Sequence, residues 1–579
     1  MKYLLILIFT VSIYANSDSN STKSYKLDIV GLKNIDKTSI AKAIGAKEEG
    51  FLNKKYIINS DFLRVAKDSI KSYMESMGYF NYKLNIDKNR DIVTLNINEG
   101  KPVRVNSIKI DSDIKIDKLI KFKKGDVFSS KKFLNIKDNI IKMLMQNGYC
   151  QYKLDAKAYV DLKNYRANLN YFLRKNNICK FGKITLAKKV KGIKDDVIFS
   201  RIKYKKGDIF STKDIEESYL ALNKLNVFAN INIVYNLDKN SSVVDTKISL
   251  DKREKLKRYE IAIGHDSDIG SRFKGYWENR DIFKNATKIS VSTQVSKRIQ
   301  DIKSTLFIPA FITYKGKFLD YYLTVGAINE KEDGFNRHSF YLKSYFQLDY
   351  KRWSVKSGVG IENLHIRLKE KSDSIIGGTF NMIYPFVEAI YDARDSKLDP
   401  KNGYYIKTYW EYGLSSSQSG AVQYFKYLLE GRAIKSFDDL TLSAVGRVGL
   451  IKKFSGKLPA SKLFYGGGSF NNRAYSKGEV GVVTSSKSYR KLGGKSMLNF
   501  QLEANYKLYK ELYGAIFFDT TKISQSVLSF KGKRLDTLGV GLRYKTPIGP
   551  IKIDFGWNIH KFKENSISIM LGQSFWENF

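Results

Sequence analysis

The chain has 579 residues, with 100 Lys and Arg against 58 Asp and Glu, a net charge of +42, four His and two Cys. That length calls for several domains, and His265, His338, His365 and His560 are too scattered for a metal centre, so neither metal nor other cofactor is expected. The positive excess suits an acidic partner such as lipid head groups, or reflects a lysine-rich genome. No aromatic–basic module accompanies it, so nucleic acid is not an expected partner.

Residues 1–15 read as a secretory signal: Lys2 is the charged start, Tyr3 to Tyr14 is apolar, and Ala15 suits cleavage. No run of 18 apolar residues follows, which predicts no membrane-spanning helix and leaves a soluble fold or a β-barrel. Glycine divides the remainder, with 10 of 41 before residue 257 and 31 after it.

The N-terminal part repeats. Met74–Leu84 (MESMGYFNYKL) returns as Leu144–Leu154 (LMQNGYCQYKL) and more weakly as Leu222–Ile233, while Lys123–Ser129 returns as Lys205–Ser211. Each unit opens on a strand (Tyr25–Val30, Val105–Ile110, Phe181–Leu186), followed by two helical stretches and two strands. The predicted order is β-α-α-β-β, three times. Cys150 is placed at the start of the second strand of unit two and Cys179 just past its third. A hairpin turn near Leu162–Asn164 would bring them together as a disulfide; the alternative is two separate buried thiols.

Beyond residue 257 the pattern has period two. In Phe500–Leu508 the even positions are apolar, in Ile551–Trp557 the odd ones, with Lys552 and Asp554 between. In the terminal stretch Ile567, Ile569, Leu571, Gln573 and Phe575 share one face. Charges at alternate positions of strands about ten residues long are the sign of a transmembrane antiparallel β-barrel, alternation alone leaving a soluble sandwich open, and the length suits a barrel of sixteen strands. No nucleophile elbow, P-loop or dinucleotide fingerprint occurs, and Gly466–Gly468 is followed by no helix pattern, so an enzyme is not expected.

The repeats resemble POTRA domains, the periplasmic modules of the BamA/TamA superfamily of outer-membrane assembly barrels. Three units look more like the TamA branch than five-unit BamA. The resemblance sets the domains at 24–100, 101–176 and 177–254 for the POTRA units and 257–579 for the barrel. Four barrel segments carry it further. Tyr391–Tyr404 (YDARDSKLDPKNGY) resembles a family hairpin; Asp399-Pro400 and Asn402-Gly403 suit a tight turn, and Asp392, Arg394 and Asp395 beside Tyr391 form a charged cluster that reads as a turn with an ion pair rather than a cation site. Tyr465–Tyr475 (YGGGSFNNRAY) resembles the loop that folds into the lumen, with Arg473, Ala474 and Tyr475 at its tip; Ala474 replaces the family's Gly. Phe517–Thr521 resembles the strand that supplies the acidic partner, Asp519, next to Phe517. Gly539–Phe555 matches a turn-bearing hairpin around Pro547.

The resemblance implies a lateral gate, where the first barrel strand (Arg258, Ile261, Gly264) pairs weakly with the last (Ile567, Ile569, Gly572, Phe575), Ala262 and Ile569 being the positions to test first. It implies insertion of client β-barrels such as autotransporters by strand templating, with unfolded outer-membrane clients, outer-membrane lipids and a TamB-like inner-membrane-anchored periplasmic protein as partners. A BamA-like general insertase, a two-partner-secretion pore and a passive porin are the competing readings.

Overall fold

A computed structural model describes residues 24–571 except 50–54, 238–240, 315–316, 370–374, 398, 418–419, 483–491, 510, 528–532 and 547–548. The signal reading at 1–15 and the positions Pro547, Gly572 and Phe575 lie outside the described residues. The chain forms two compact units. One runs through Ile184 and includes Tyr204–Ile215 and Val234–Thr246; the other comprises Thr185–Lys203, Glu216–Ile233 and Lys247 onward.

The repeats share one logic. In the first, Ser60–Ser76 is a helix because Asn59 caps the Phe62 amide at 2.9 Å and Ala66, Ile70 and Met74 recur at a spacing of four to form its buried stripe. Gly78 ends it at φ 90°, a conformation open to glycine at no steric cost. In the second, Ser129 caps Ser130–Gln146, Ile136, Ile140 and Leu144 are buried, and Gly148 ends the helix at the same φ. The opening strand pairs in parallel with the last one in both, Ser24–Val30 with Ile92–Asn98 and Arg104–Ser112 with Arg166–Arg174.

The units depart from a strict β-α-α-β-β order. The first inserts a hairpin, Lys47–Glu49 with Lys55–Asn59, and so has a five-stranded sheet. In the second, the first helix shrinks to a 3-10 turn at Asp117–Leu119 that no side chain caps. Cys150 also lies in the turn ahead of its strand, which begins at Lys153. It is bonded to Cys179, with 5.9 Å between the Cα atoms.

Sixteen antiparallel strands close into a barrel: β1 Lys257–Asp266, β2 Gly270–Asn279, β3 Lys288–Ser296, β4 Ile299–Tyr314, β5 Lys317–Lys331, β6 Phe335–Tyr350, β7 Trp353–Leu368, β8 Gly378–Asp392, β9 Asn402–Ser417, β10 Val422–Phe437, β11 Leu440–Ser455, β12 Ser496–Tyr509, β13 Leu512–Ser524, β14 Leu535–Thr546, β15 Gly549–Asn558 and β16 Lys561–Leu571. Alternation sets the two faces. Phe500, Leu502, Ile553, Ile567 and Ile569 are exposed outward, whereas Gln501, Asp519, Asp554 and Ser568 are buried inward. The chain enters β1 from the repeats, so the odd-to-even turns β1–β2, β3–β4 and onward lie at the far rim. The turns β2–β3, β4–β5, β6–β7 and β8–β9 lie at the rim where β1 begins.

Candidate functional site

The lumen is filled by the segment between β11 and β12. It turns back at Gly467 (φ 92°) and Gly468 (φ 89°). Ala474 has no positive φ, so the tip is built without the glycine conformation that the family pattern suggests. Leu463, Phe464, Ala474, Tyr475 and Val480 are buried together with wall residues Tyr384, Phe386 and Tyr424, which gives the barrel interior an apolar core.

Arg473 sits at the tip, 5% exposed, against a fully buried Asp519 on β13. Its Nε and Nη2 donate to the two Asp519 oxygens at 2.9 and 2.8 Å, and its backbone N–H donates to Oδ2 at 3.0 Å. This is the planar two-point pairing that a guanidinium and a carboxylate favour. The third nitrogen, Nη1, donates to Glu503 of β12 at 2.5 Å and lies 3.6 Å from Asp554 of β15. The guanidinium stacks 3.4 Å from the centre of the Phe517 ring. Arg543 of β14 meets Glu503 at 3.2 Å and Asp554 at 2.5 Å, and Lys552 lines the same cavity. Three cations therefore face three carboxylates, a balance that a dry site requires. Glycine makes room for this contact: a Cβ on Gly556 would lie 2.8 Å from the Arg473 carbonyl oxygen.

Thr521, in the place of the family's Gly, is absorbed by hydrogen bonds. Its hydroxyl donates to Asn471 at 3.0 Å and accepts from Asn499 at 3.0 Å. Two further anchors carried no sequence signal. Lys462 donates to Glu362 of β7 at 3.0 Å and lies 3.7 Å from Glu411 of β9. Lys477 pairs with Glu332 at 3.0 Å and Glu330 at 3.5 Å.

The hairpin at 391–404 is a structural turn. Arg394 pairs with Asp392 through two 2.9 Å bonds, whereas Asp395 accepts the amides of Lys401 and Asn402, each at 2.9 Å. Arg394 and Asp392 thus form the ion pair of this turn, and Asp395 caps it. Tyr391 packs outward on Trp353 and Tyr404.

Among the described residues the junction of β1 and β16 has the shortest register of the sixteen. The described residues pair only as His265–Leu571 and Asp266–Met570, against ten pairs between β1 and β2. The neighbouring Ser267 amide reaches the Ile569 carbonyl at 3.0 Å, so Ile569 faces Ser267 and not Ala262. Along β1, Ile261 is 74% exposed, Gly264 is buried, and Arg258 contacts Glu260 and Glu278. The lumen segment touches both sides of this junction. Ser469 N–H donates to Asp268 in the β1–β2 turn at 2.8 Å, and the Tyr475 hydroxyl donates to Glu564 of β16 at 2.7 Å while accepting from Asn558 of β15 at 2.6 Å.

A family profile described as the Omp85 superfamily domain matches residues 281–575, just over half of the chain. The chain belongs to the Omp85 superfamily. The POTRA profile, described as a surface antigen variable number repeat, matches residues 101–176. Among similar proteins are the outer membrane protein assembly factor BamA of Buchnera aphidicola, 22% identical over 255 residues (41% of each chain), and a Treponema pallidum protein provisionally named as an outer membrane protein assembly factor, 19% identical over 306 residues (49% of this chain, 36% of that one). The matches thus span less than half the length of these relatives. The crystal structure of Haemophilus ducreyi BamA lacking POTRA domains 1–3 superposes with a TM-score of 0.52 at 14% identity, covering 81% of this chain and 99% of that one, a likeness of fold. As an Omp85 barrel with POTRA units, the protein resides in the outer membrane with its repeats in the periplasm.

Proposed function

We propose that the protein assembles other outer-membrane β-proteins by presenting a strand edge at the β1–β16 junction. The observation that carries this reading is the stagger of the β1–β16 junction: among the described residues only His265–Leu571 and Asp266–Met570 pair, so most of β16 runs past the end of β1. A client strand entering hydrocarbon alone leaves backbone groups unsatisfied, at several kcal/mol each. Pairing with β1 first removes that cost, and the client's own folding then drives release. The step requires no nucleotide, metal or catalytic side chain. The names of the similar proteins support assembly of outer-membrane proteins as the task. The three repeats favour a TamA-like division of labour, with autotransporter-type clients and a TamB-like periplasmic partner; a BamA-like general insertase is the second reading. The apolar core of the lumen argues against a passive porin.

The test is reconstitution of the full chain into liposomes, followed by addition of a urea-unfolded outer-membrane barrel. Faster appearance of the heat-modifiable, protease-protected client than in empty liposomes is expected. Equal rates in both would reject the proposal.

A further inference from the structure

The outer wall of β4 to β9 carries an aromatic belt at the rim where β1 begins. Phe311, Tyr321 and Phe346 pack on one another with centroid distances of 5.1 to 6.1 Å. Trp353, Tyr391 and Tyr404 continue the row at 4.9 and 5.7 Å. Phe311, Tyr350, Trp353 and Tyr404 are about half exposed, which is costly in water and favourable at a membrane interface. Exposed Phe340 marks the other side of the apolar band. The ten residue steps from Phe340 to Tyr350 along β6 rise roughly 25 Å at a strand tilt of about 40°, the height of a barrel's lipid-facing band. The belt therefore lies at the headgroup level of the periplasmic leaflet.

Three cations rim it. Lys317 lies 4.7 Å and Lys351 5.5 Å from the centre of the Tyr350 ring, and Arg352 is exposed in the same β6–β7 turn. None of the three is ion-paired among the described residues. The acids at the ends of β5 and β6 point inward and are engaged there, Asp320 by Arg201 at 2.5 Å and Asp349 by Gln347 at 2.9 Å, and the exposed acids of the β8–β9 turn are engaged too, Asp395 by the amides of Lys401 and Asn402 and Asp399 by Lys545. The outward positions of β4 to β9, read from their register, include no Asp or Glu. This sector thus combines an aromatic anchor with uncompensated positive charge at one membrane depth.

We propose that this belt is a docking surface for anionic phospholipid headgroups of the periplasmic leaflet, phosphatidylglycerol in type, and that it holds the β4–β9 wall in the membrane independently of any assembly activity. Cations at a lipid surface attract anionic headgroups individually and add together.

The test uses the purified full chain in neutral detergent micelles, titrated with phosphatidylglycerol or with phosphatidylcholine of the same acyl chains. Bound lipid is counted by native mass spectrometry. Preference for phosphatidylglycerol, weakened by 0.5 M salt, is expected. The triple variant Lys317→Gln, Lys351→Gln, Arg352→Gln, verified as folded by heat-modifiable electrophoresis, should bind phosphatidylglycerol roughly ten- to a hundredfold more weakly, with phosphatidylcholine unchanged. A control triple at the far rim, Lys297→Gln, Lys331→Gln, Arg367→Gln, should keep the preference. Equal binding of both lipids, a preference retained in the first triple, or an equal loss in the control would overturn the proposal.

Discussion

Replacing Asp519 by Asn removes the charge that meets Arg473 through three hydrogen bonds. Arg473 keeps Glu503 at 2.5 Å and Asp554 at 3.6 Å, so its charge is not abandoned, but the six-group cluster is left with three cations against two carboxylates. Breaking a buried pair costs about 3–5 kcal/mol, and the two remaining carboxylates place Asp519→Asn near the lower end, about 3 kcal/mol. Arg473→Met is worse, about 4–5 kcal/mol, because three carboxylates then face only Arg543 and Lys552. The double variant Arg473→Met with Asp519→Leu removes both members and should cost at least about 2 kcal/mol less than the sum of the singles. The measurement is a urea series in detergent micelles, with the folded fraction read by heat-modifiable electrophoresis and tryptophan fluorescence. Limited proteolysis would report whether the lumen segment has come loose. Additive single and double variants, within about 0.5 kcal/mol, would show that the pair does not hold the segment.

Three other outcomes are expected. Glu99 accepts the amides of Lys33, Asn34 and Ile35, each at 2.8 Å; burial alone would push its carboxyl up, but these bonds outweigh burial and hold it below the ordinary carboxylate range. Because the folded value lies below the unfolded one of about 4.3, the stabilisation is present above that pH and is lost as pH falls through the folded value. The protection of the amides of residues 33–35, taken against intrinsic exchange at each pH, should drop in the wild type as pH falls below the ordinary carboxylate range. Glu99→Gln should lack that step and be about 1.5–3 kcal/mol less stable at pH 7; a parallel pH response would contradict this account. Reducing Cys150–Cys179, which are 29 residues apart and join the second repeat to the start of the third, should cost roughly 3–4 kcal/mol, read as faster exchange in those two repeats and not in the first. Gly556→Val should displace the Arg473 tip and raise protease cutting in residues 465–480, whereas the same change at Gly431, which has no atom near its missing Cβ, should leave the tip in place.

The parts of this fold that sequence displays are those written in short-range periods. Alternation over Phe500–Leu508 and Ile551–Trp557 is enough to separate lipid-facing from lumen-facing positions, since one residue of slip would turn every charge outward. The helix Ser60–Ser76 is equally plain from its cap, stripe and terminal glycine. The Lys47–Glu49 edge strand is hidden by its three charges, and the 3-10 turn at Asp117–Leu119 lies in a lysine-rich stretch that looks more helical than its uncapped end allows. The lumen contacts are the least legible. Glu503 and Asp554 each read as one more inward charge, and only closure of the barrel brings both to Arg473. Lys462, in a stretch that reads as an ordinary loop, is buried between walls 100 and 51 residues away in sequence, at Glu362 and Glu411. The register of β1 against β16 joins residues about 300 apart, which alternation cannot set; hence Ser267, not Ala262, lies opposite Ile569.

The central claim is that the β1–β16 junction must part for a client to be assembled. The direct measurement is a cysteine pair at the two facing positions, His265→Cys and Leu571→Cys, in the full-length protein with the buried Cys150–Cys179 bond left in place. Client folding is followed in liposomes under oxidising and reducing conditions, with the wild type run alongside to register any effect of reducing the native bond. Loss of client folding on oxidation, restored by reductant in the variant and absent from the wild type, is the predicted result. Equal client folding by the locked and unlocked barrels would contradict the claim and move the activity to the repeats.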